Sequence, residues 1–327
     1  MNPIAIYSGS LVIYWSALVI AAGLIATLFM TLSLQGSNHG RRFVVFLLIP
    51  LTVIFSVPLC RAIHWYCHAE QYGSLISALT DYSSGSYVLA GALLGAWLAA
   101  LIASRLDNGS AARLLDAFAP GAALAIAFIR LSALFNSSCR SKIPVTAPAL
   151  QHLPLASGVT NSAGQVEYRF ATFFVQFLLM LVICYLLLRF FYRRRNVPMK
   201  SGSAEGNTFR MFLLYYGACE LAMDSTRYDS SFMHFNGFVS LVQIVAAVSI
   251  LALLIYYSVH SVRANRMRYY HWLIWIGWFL ALLMVGISEY LVQRHGDWFL
   301  GCYGAMALGC FLMAFAVYRM YKSCCEE

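Results

Sequence analysis

The chain has 327 residues, 61% of them hydrophobic and only 11% charged, with a formal net charge of +9 and a mean hydropathy of +0.71. A soluble domain carries about 25% charged residues, so the composition excludes one and specifies several membrane-spanning helices. In such a chain a basic excess marks cytoplasmic loops and anionic lipid, and gives no reason to invoke nucleic acid.

Apolar runs predict nine spanning helices, at residues 10–34, 43–65, 87–104, 114–135, 170–191, 208–225, 237–259, 271–292 and 299–318. The fold expected is an all-α polytopic transmembrane bundle. No basic segment and small-residue cleavage site accompany the first run, so it is expected to stay as an anchor. Residues 136–167, with Pro144, Pro148, Pro154 and Gly158, form the loop long enough to build a small extramembrane element or to cover a site. Basic residues cluster in alternate loops: Arg41 with Arg42, Arg105 with Arg113, a group from Arg189 to Arg210, another from Arg263 to Arg268, and the tail. The positive-inside rule then puts the N-terminus outside and the C-terminus inside.

Nine cysteines include no C-x-x-C pair. The run from His64 to His68 (HWYCH) lacks zinc or haem spacing and reads as an interfacial aromatic belt. No metal or other cofactor is expected. Cys67 and Cys139 both fall outside in this topology, where pairing is allowed but its geometry stays open.

The stretch 116–136 (DAFAPGAALAIAFIRLSALFN) sets the central problem. Arg130 lies well inside an apolar helix, where an unpartnered charge costs about 3 kcal/mol or more. The topology places it about 9 Å from the outer exit and about 21 Å from Asp116, at 1.5 Å per residue. Asp116 is thus expected to favour the N-terminus of its own helix, not to pair with Arg130. Arg61 lies near the outer end of the second helix, and Glu220, Asp224 and Arg227 share one face at the outer end of the sixth. Tyr14 and Trp15 are expected in the outer part of the first helix. Two readings stand. Either these charges from three helices neutralise one another and lock the bundle, or they line a polar cavity open to the outer leaflet. In the second, Arg61 and Arg130 hold a lipid phosphate through planar, always-charged guanidinium forks.

The order of motifs resembles the bacterial prolipoprotein diacylglyceryl transferases over residues 9 to 259. The residues that carry the resemblance are Gly9 to Trp15, Arg61, the glycine-rich Leu89 to Gly95, and Asp116-x-x-Ala119-Pro120. Further along come Arg130-Leu131 with Asn136, then Tyr216-Gly217 followed by Asp224 and Arg227, and finally Gln243. The resemblance implies a seven-helix domain over 1–260, with 261–327 adding two helices and a short cytoplasmic tail. It implies transfer of a diacylglyceryl group from phosphatidylglycerol to the thiol of a lipobox-bearing prolipoprotein, or another exported acceptor, at the bacterial plasma membrane. It also implies lipid phosphate binding by Arg61, Arg130 and Asn136 and catalytic roles for Arg130 and Arg227. His64, at the outer end of the second helix, is nominated as the stand-in for the family's catalytic histidine, and Tyr14, Glu220 and Asp224 are nominated as supporting residues. The family's H-G-G histidine aligns with Ala90, its first-helix tyrosine with Ser16, and the arginine of its sixth helix with Glu220. A non-catalytic lipid- or lipoprotein-binding protein of the same fold is the second expectation. A small-solute transporter ranks third, because no repeat of halves is visible.

Overall fold

The computed structural model describes residues 4–8, 11–35, 39–80, 88–106, 109–135, 141–160, 164–194, 205–228, 230–233, 236–265, 269–296 and 299–325. The chain opens with an antiparallel hairpin, β1 (Ile4–Ser8) and β2 (Leu11–Tyr14), before α1 (Trp15–Gln35) and α2 (His39–Cys67). A short helix α3 (Leu75–Thr80) precedes α4 (Leu89–Leu106) and α5 (Ala111–Ser132), which ends in a 3-10 turn to Phe135. Then come α6 (Pro148–Gln151), the hairpin β3 (Ala156–Thr160) and β4 (Val166–Phe170), α7 (Thr172–Arg194) and α8 (Asn207–Met223). A 3-10 turn, Asp224–Thr226, and a small hairpin, β5 (Phe232–Met233) and β6 (Asn236–Ser240), lead to α9 (Leu241–Asn265), α10 (Tyr269–Arg294) and α11 (Phe299–Cys324).

All nine expected helices are present, and seven of the described helices are long and apolar enough to cross a membrane. The molecule is an all-α multi-pass membrane bundle with small extramembrane hairpins. The expected start of the first helix at residue 10 is corrected. β-Branched and aromatic residues are concentrated in Ile4–Ser8 and Leu11–Tyr14, so these segments pair as strands (Ile6 opposite Ile13, Tyr7 opposite Val12) and the helix begins only at Trp15. Tyr14 therefore ends a strand, and its side chain is 49% exposed.

Helix α5 is the centre of the bundle. Half of its membrane-length window is buried, against 22–39% in the other six spans. Ala117, Ala119, Ala123 and Ala127 keep it thin, so α1, α7 and α8 approach closely. At the contact with α1, Thr27 Oγ1 donates to the carbonyl of Gly121 at 2.8 Å, and a Cβ on Gly121 would sit 3.0 Å from Thr27 Cγ2. Helix α4 uses the same device against α2. Gly91 and Gly95 lie on the backbones of Cys60 and Ser56, where any Cβ would collide, and Ser56 Oγ donates to the Ala92 carbonyl at 3.1 Å. One apolar core runs through Ala123, Met180, Met211, Ile250, Trp278 and Met313, so α10 and α11 share it with α5, α7, α8 and α9.

Among the described residues the nine long helices alternate in direction, with antiparallel contacts such as Gly23 to Phe128, Gly91 to Cys60, Gln176 to Glu220 and Ser261 to His271, which sorts their ends into two groups, called here the Arg130 end and the Arg113 end. At the Arg113 end Asp116 corrects a second expectation. Its carboxylate accepts from the backbone N–H groups of Gly206 at 2.6 Å and Phe209 at 2.9 Å, so it caps α8 and not its own helix. The reason is position: Asp116 lies in the second turn of α5, where its own helix has no free N–H, while the first turn of α8 does. Gly206 makes this possible with φ +85°, a left-handed conformation that suits glycine. Nearby, Ser261 Oγ lies 3.0 Å from His271 Nε2 and 2.7 Å from Ser323 Oγ, joining α9, α10 and α11 by buried polar contacts.

Candidate functional site

The last turn of α5, the first turns of α7 and the end of α8 meet at the Arg130 end. Arg130 Nη2 donates to Glu220 Oε1 at 2.8 Å, with the two side chains 13% and 1% exposed. Gln176 of α7, also buried, places its amide nitrogen 3.4 and 3.5 Å from the two carboxylate oxygens of Glu220. The costly arginine is thus compensated by a carboxylate. Removing one partner of such a buried pair costs about 3–5 kcal/mol. The pairing is one-sided, however. Among the described residues Arg130 Nε is buried without a hydrogen-bond partner, as are the hydroxyl groups of Tyr216 and Ser225. An arginine N–H and the Tyr216 hydroxyl therefore stand unused at the ion pair, and the Ser225 hydroxyl next to Asp224 in sequence.

Asp224 extends the network one turn beyond Glu220. Its Oδ2 accepts from Ser240 Oγ at 2.5 Å, and Oδ1 lies 4.0 Å from Arg227 Nη1. Ser240 and Gln243 form a reciprocal capping box at the start of α9. The Gln243 N–H donates to Ser240 Oγ at 3.1 Å, and the Ser240 N–H to Gln243 Oε1 at 2.9 Å. Gln243 also donates to the Leu221 carbonyl at 3.3 Å and so ties α9 to α8. The segment expected as an extramembrane element or a cover forms α6 and the β3–β4 hairpin and is tied to this corner: the Ser141 hydroxyl and the Lys142 N–H donate to the Thr226 carbonyl at 3.0 and 2.9 Å, and the Phe170 N–H donates to the Ile143 carbonyl at 3.0 Å.

The nominated residues do not all converge. Arg130, Glu220, Asp224 and Arg227 share one neighbourhood. Arg61 is buried in another, where its Nε donates to the Ala78 carbonyl at 2.9 Å and its guanidinium lies 6.0 Å from the Tyr72 ring centroid. His64 stacks on His68 at 4.3 Å and meets Tyr72 edge-on at 5.9 Å. Trp15 stacks on Phe135 at 6.2 Å, whereas Tyr14 is exposed. Asn136 and Cys139 lie outside the described residues. Sequence reasoning passed over Gln176, Ser240 and Lys142. Gln176 carried a signal, being the polar residue in the apolar run FFVQFLLM.

A cavity of about 870 Å³ opens between α2, α4, α8 and α9. Its walls are apolar and include Trp65, Tyr66, Ala90, Leu94, Leu213 and Val245. Residues 209, 213, 216 and 220 follow i, i+4, i+7 and i+11, so they fall on one stripe of α8, and Asp224 continues it at i+15 where the 3-10 turn begins. Phe209 and Leu213 on that stripe line the cavity, while Tyr216, Glu220 and Asp224 carry it into the polar network. Leu213 and Glu220 are about 10 Å apart along the axis. An apolar space leading along one helix to arginines matches a ligand with hydrocarbon chains and an anionic head.

A sequence model described as prolipoprotein diacylglyceryl transferase matches residues 3–259. Several curated relatives are named phosphatidylglycerol–prolipoprotein diacylglyceryl transferase. The one from Trichormus variabilis is 24% identical over 70% of this chain and 80% of its own length. The one from Acaryochloris marina is 28% identical over 68% and 78%, and that from Lysinibacillus sphaericus 25% over 71% and 83%. The matched region takes in α1 to α9, with the cavity and the Arg130–Glu220 and Asp224–Arg227 pairs. The chain belongs to the prolipoprotein diacylglyceryl transferase family.

Proposed function

We propose that this protein transfers a diacylglyceryl group from phosphatidylglycerol to a cysteine thiol of an exported lipoprotein precursor. The observation that carries the proposal is the family match over 257 residues, which includes the stripe of α8 joining the apolar cavity to the arginines. In the step proposed, the thiol sulfur forms a bond to the glycerol carbon and the carbon–oxygen bond to phosphate breaks. The electron pair leaves on glycerol phosphate, and the thiol proton passes to a base. Arg130 and Arg227 hold and neutralise the phosphate, a role that grows as charge collects on the leaving group. His64 of α2, whose neighbours Ile63 and Trp65 line the cavity, is assigned the proton, and Arg61 of the same helix supports the phosphate from the α2 side of that cavity. Asp224 stands behind Arg227 and fixes its orientation, while Glu220 holds Arg130 in place and competes with the phosphate for its guanidinium.

Residues 1–260 act as the transferase-like unit, with 261–327 added to it. The bacterial plasma membrane is the proposed location, with the N-terminus outside and the C-terminus inside. The basic loops support that orientation, because Arg105, Arg113, Arg194 and Arg210 all belong to one end of the bundle.

A second reading is favoured by two observations. Ala90, aligned with the family's H-G-G histidine, is an apolar wall residue of the cavity, and Arg130 already has a carboxylate partner. On that reading the protein binds phosphatidylglycerol without turnover. A lipobox peptide, phosphatidylglycerol and the purified protein separate the two. Transfer gives a diacylglyceryl mass shift on the cysteine that disappears in Arg130→Met, whereas binding without any mass shift supports the second reading.

A further inference from the structure

The family match stops at residue 259, yet α10 and α11 deliver polar side chains to the Arg130 end. Glu289 is 3% exposed; its Oε1 accepts from Gln293 Nε2 at 2.9 Å, and its buried Oε2 has no hydrogen-bond partner among the described residues. Gln293 Oε1 in turn accepts from Lys142 Nζ at 3.2 Å. The order of these contacts is chemically determined. A carboxylate only accepts, so Glu289 draws the amide NH2 of Gln293 toward itself and turns the amide oxygen toward the lysine. Tyr303 of α11 donates to the Ser225 carbonyl at 3.4 Å, which holds the same corner from the other side.

Lys142 is half-buried on the cover. Its backbone N–H is bonded to Thr226, in the turn that carries Asp224 and leads to Arg227, and its ammonium lies 5.0 Å from the Phe232 ring centroid. Arg130, Arg169 and Arg227 each face a carboxylate. Among the described residues no carboxylate lies within 4.0 Å of Lys142 Nζ, and Gln293 is its hydrogen-bond acceptor. Burial pushes its amine below the ordinary lysine value, while the charges of Glu289 and Asp224 act against that shift. An ammonium held by a neutral amide keeps its charge and two of its three donors available to a ligand.

We infer that Lys142, oriented by Gln293 and Glu289 of α10, is an additional anion-binding residue that takes a phosphate-bearing group beside the Asp224–Arg227 turn. The group is either a lipid headgroup or released glycerol phosphate, and the inference rests on the phosphatidylglycerol reading above. Helix α10, beyond the family match, thereby orients a cation that the matched region supplies.

The test uses the full chain in phosphatidylcholine nanodiscs, titrated with phosphatidylglycerol, diacylglycerol or free glycerol 1-phosphate. Lys142→Met is expected to weaken binding of the phosphate-bearing ligand about tenfold, the scale of one lost charge-assisted hydrogen bond. Lys142→Arg restores most of it, Gln293→Leu and Glu289→Gln give intermediate losses, and diacylglycerol binding does not change. A loss confined to glycerol 1-phosphate assigns the residue to the product, and a loss with phosphatidylglycerol assigns it to the headgroup. Equal binding of both phosphate ligands by the wild type and Lys142→Met overturns the inference while leaving the proposed function intact. A wild-type protein that binds neither phosphate ligand overturns both. Thermal midpoints separate a lost ligand contact from a misfolded variant, and Lys142→Arg and Glu289→Gln carry the test if Lys142→Met fails to fold.

Discussion

Replacing Glu220 by Gln separates the two tasks of Arg130. The substitution keeps an acceptor near Arg130 Nη2 but removes the charge from a contact 2.8 Å long and almost fully buried. A hydrogen bond to a charged group contributes about 1.5–3 kcal/mol, and an uncompensated buried charge adds to that. The expected loss of stability is therefore about 2–3 kcal/mol for Glu220→Gln, and about 3–5 kcal/mol for Arg130→Met, which leaves a carboxylate alone among α5, α7 and α8. The double variant removes both charges and should recover part of the loss, with a coupling energy of about 2 kcal/mol in a double-mutant cycle. Reversible unfolding in mixed micelles measures all four corners. Lipid binding separates the two variants, which stability does not. Glu220→Gln frees the guanidinium and should tighten phosphatidylglycerol, whereas Arg130→Met should weaken it. A coupling energy below about 0.5 kcal/mol, the limit for independent sites, refutes the ion pair. Weaker phosphatidylglycerol binding in Glu220→Gln refutes the view that Glu220 competes with the phosphate.

Two further outcomes follow from the packing. Asp116→Ala removes the carboxylate that accepts from Gly206 and Phe209, and should cost about 1–2 kcal/mol, the range for a lost helix cap. Asp116→Asn should recover most of it, and thermal unfolding reads both. Ala90→Phe puts a ring into the wall of the cavity, and should lower binding of phosphatidylglycerol and diacylglycerol alike while leaving free glycerol phosphate binding unchanged. Equilibrium titration with the three ligands checks that pattern.

The nine helices were legible because a spanning helix is specified locally, by some 20 apolar residues in a row. The opening hairpin was not. Leu11 to Tyr14 runs without a break into the apolar residues of α1, and only pairing with Ile4–Ser8 makes it a strand. Asp116 and Glu220 show a different limit. Both were visible as unusual charges, but the partner of each lies about 90 positions away, and spacing along one helix does not say which neighbour it meets. For Arg130 the sequence narrowed the choice to Glu220, Asp224 or a phosphate, and the folded chain selects Glu220. Gln176 and Lys142 become meaningful only once α7, the cover and α10 are placed together. Arg61 was expected level with Arg130 and facing the same phosphate. Depth fixes the level of a side chain but not its direction, and Arg61 points to Ala78 and Tyr72.

The most direct measurement is a mass-shift assay of the purified protein with phosphatidylglycerol and a lipobox peptide. Addition of one diacylglyceryl group to the cysteine, with release of glycerol phosphate and loss of both in Arg130→Met, is the predicted result. Phosphatidylglycerol that binds through Arg130 while the cysteine stays unmodified would contradict transfer and leave a lipid-binding member of the family.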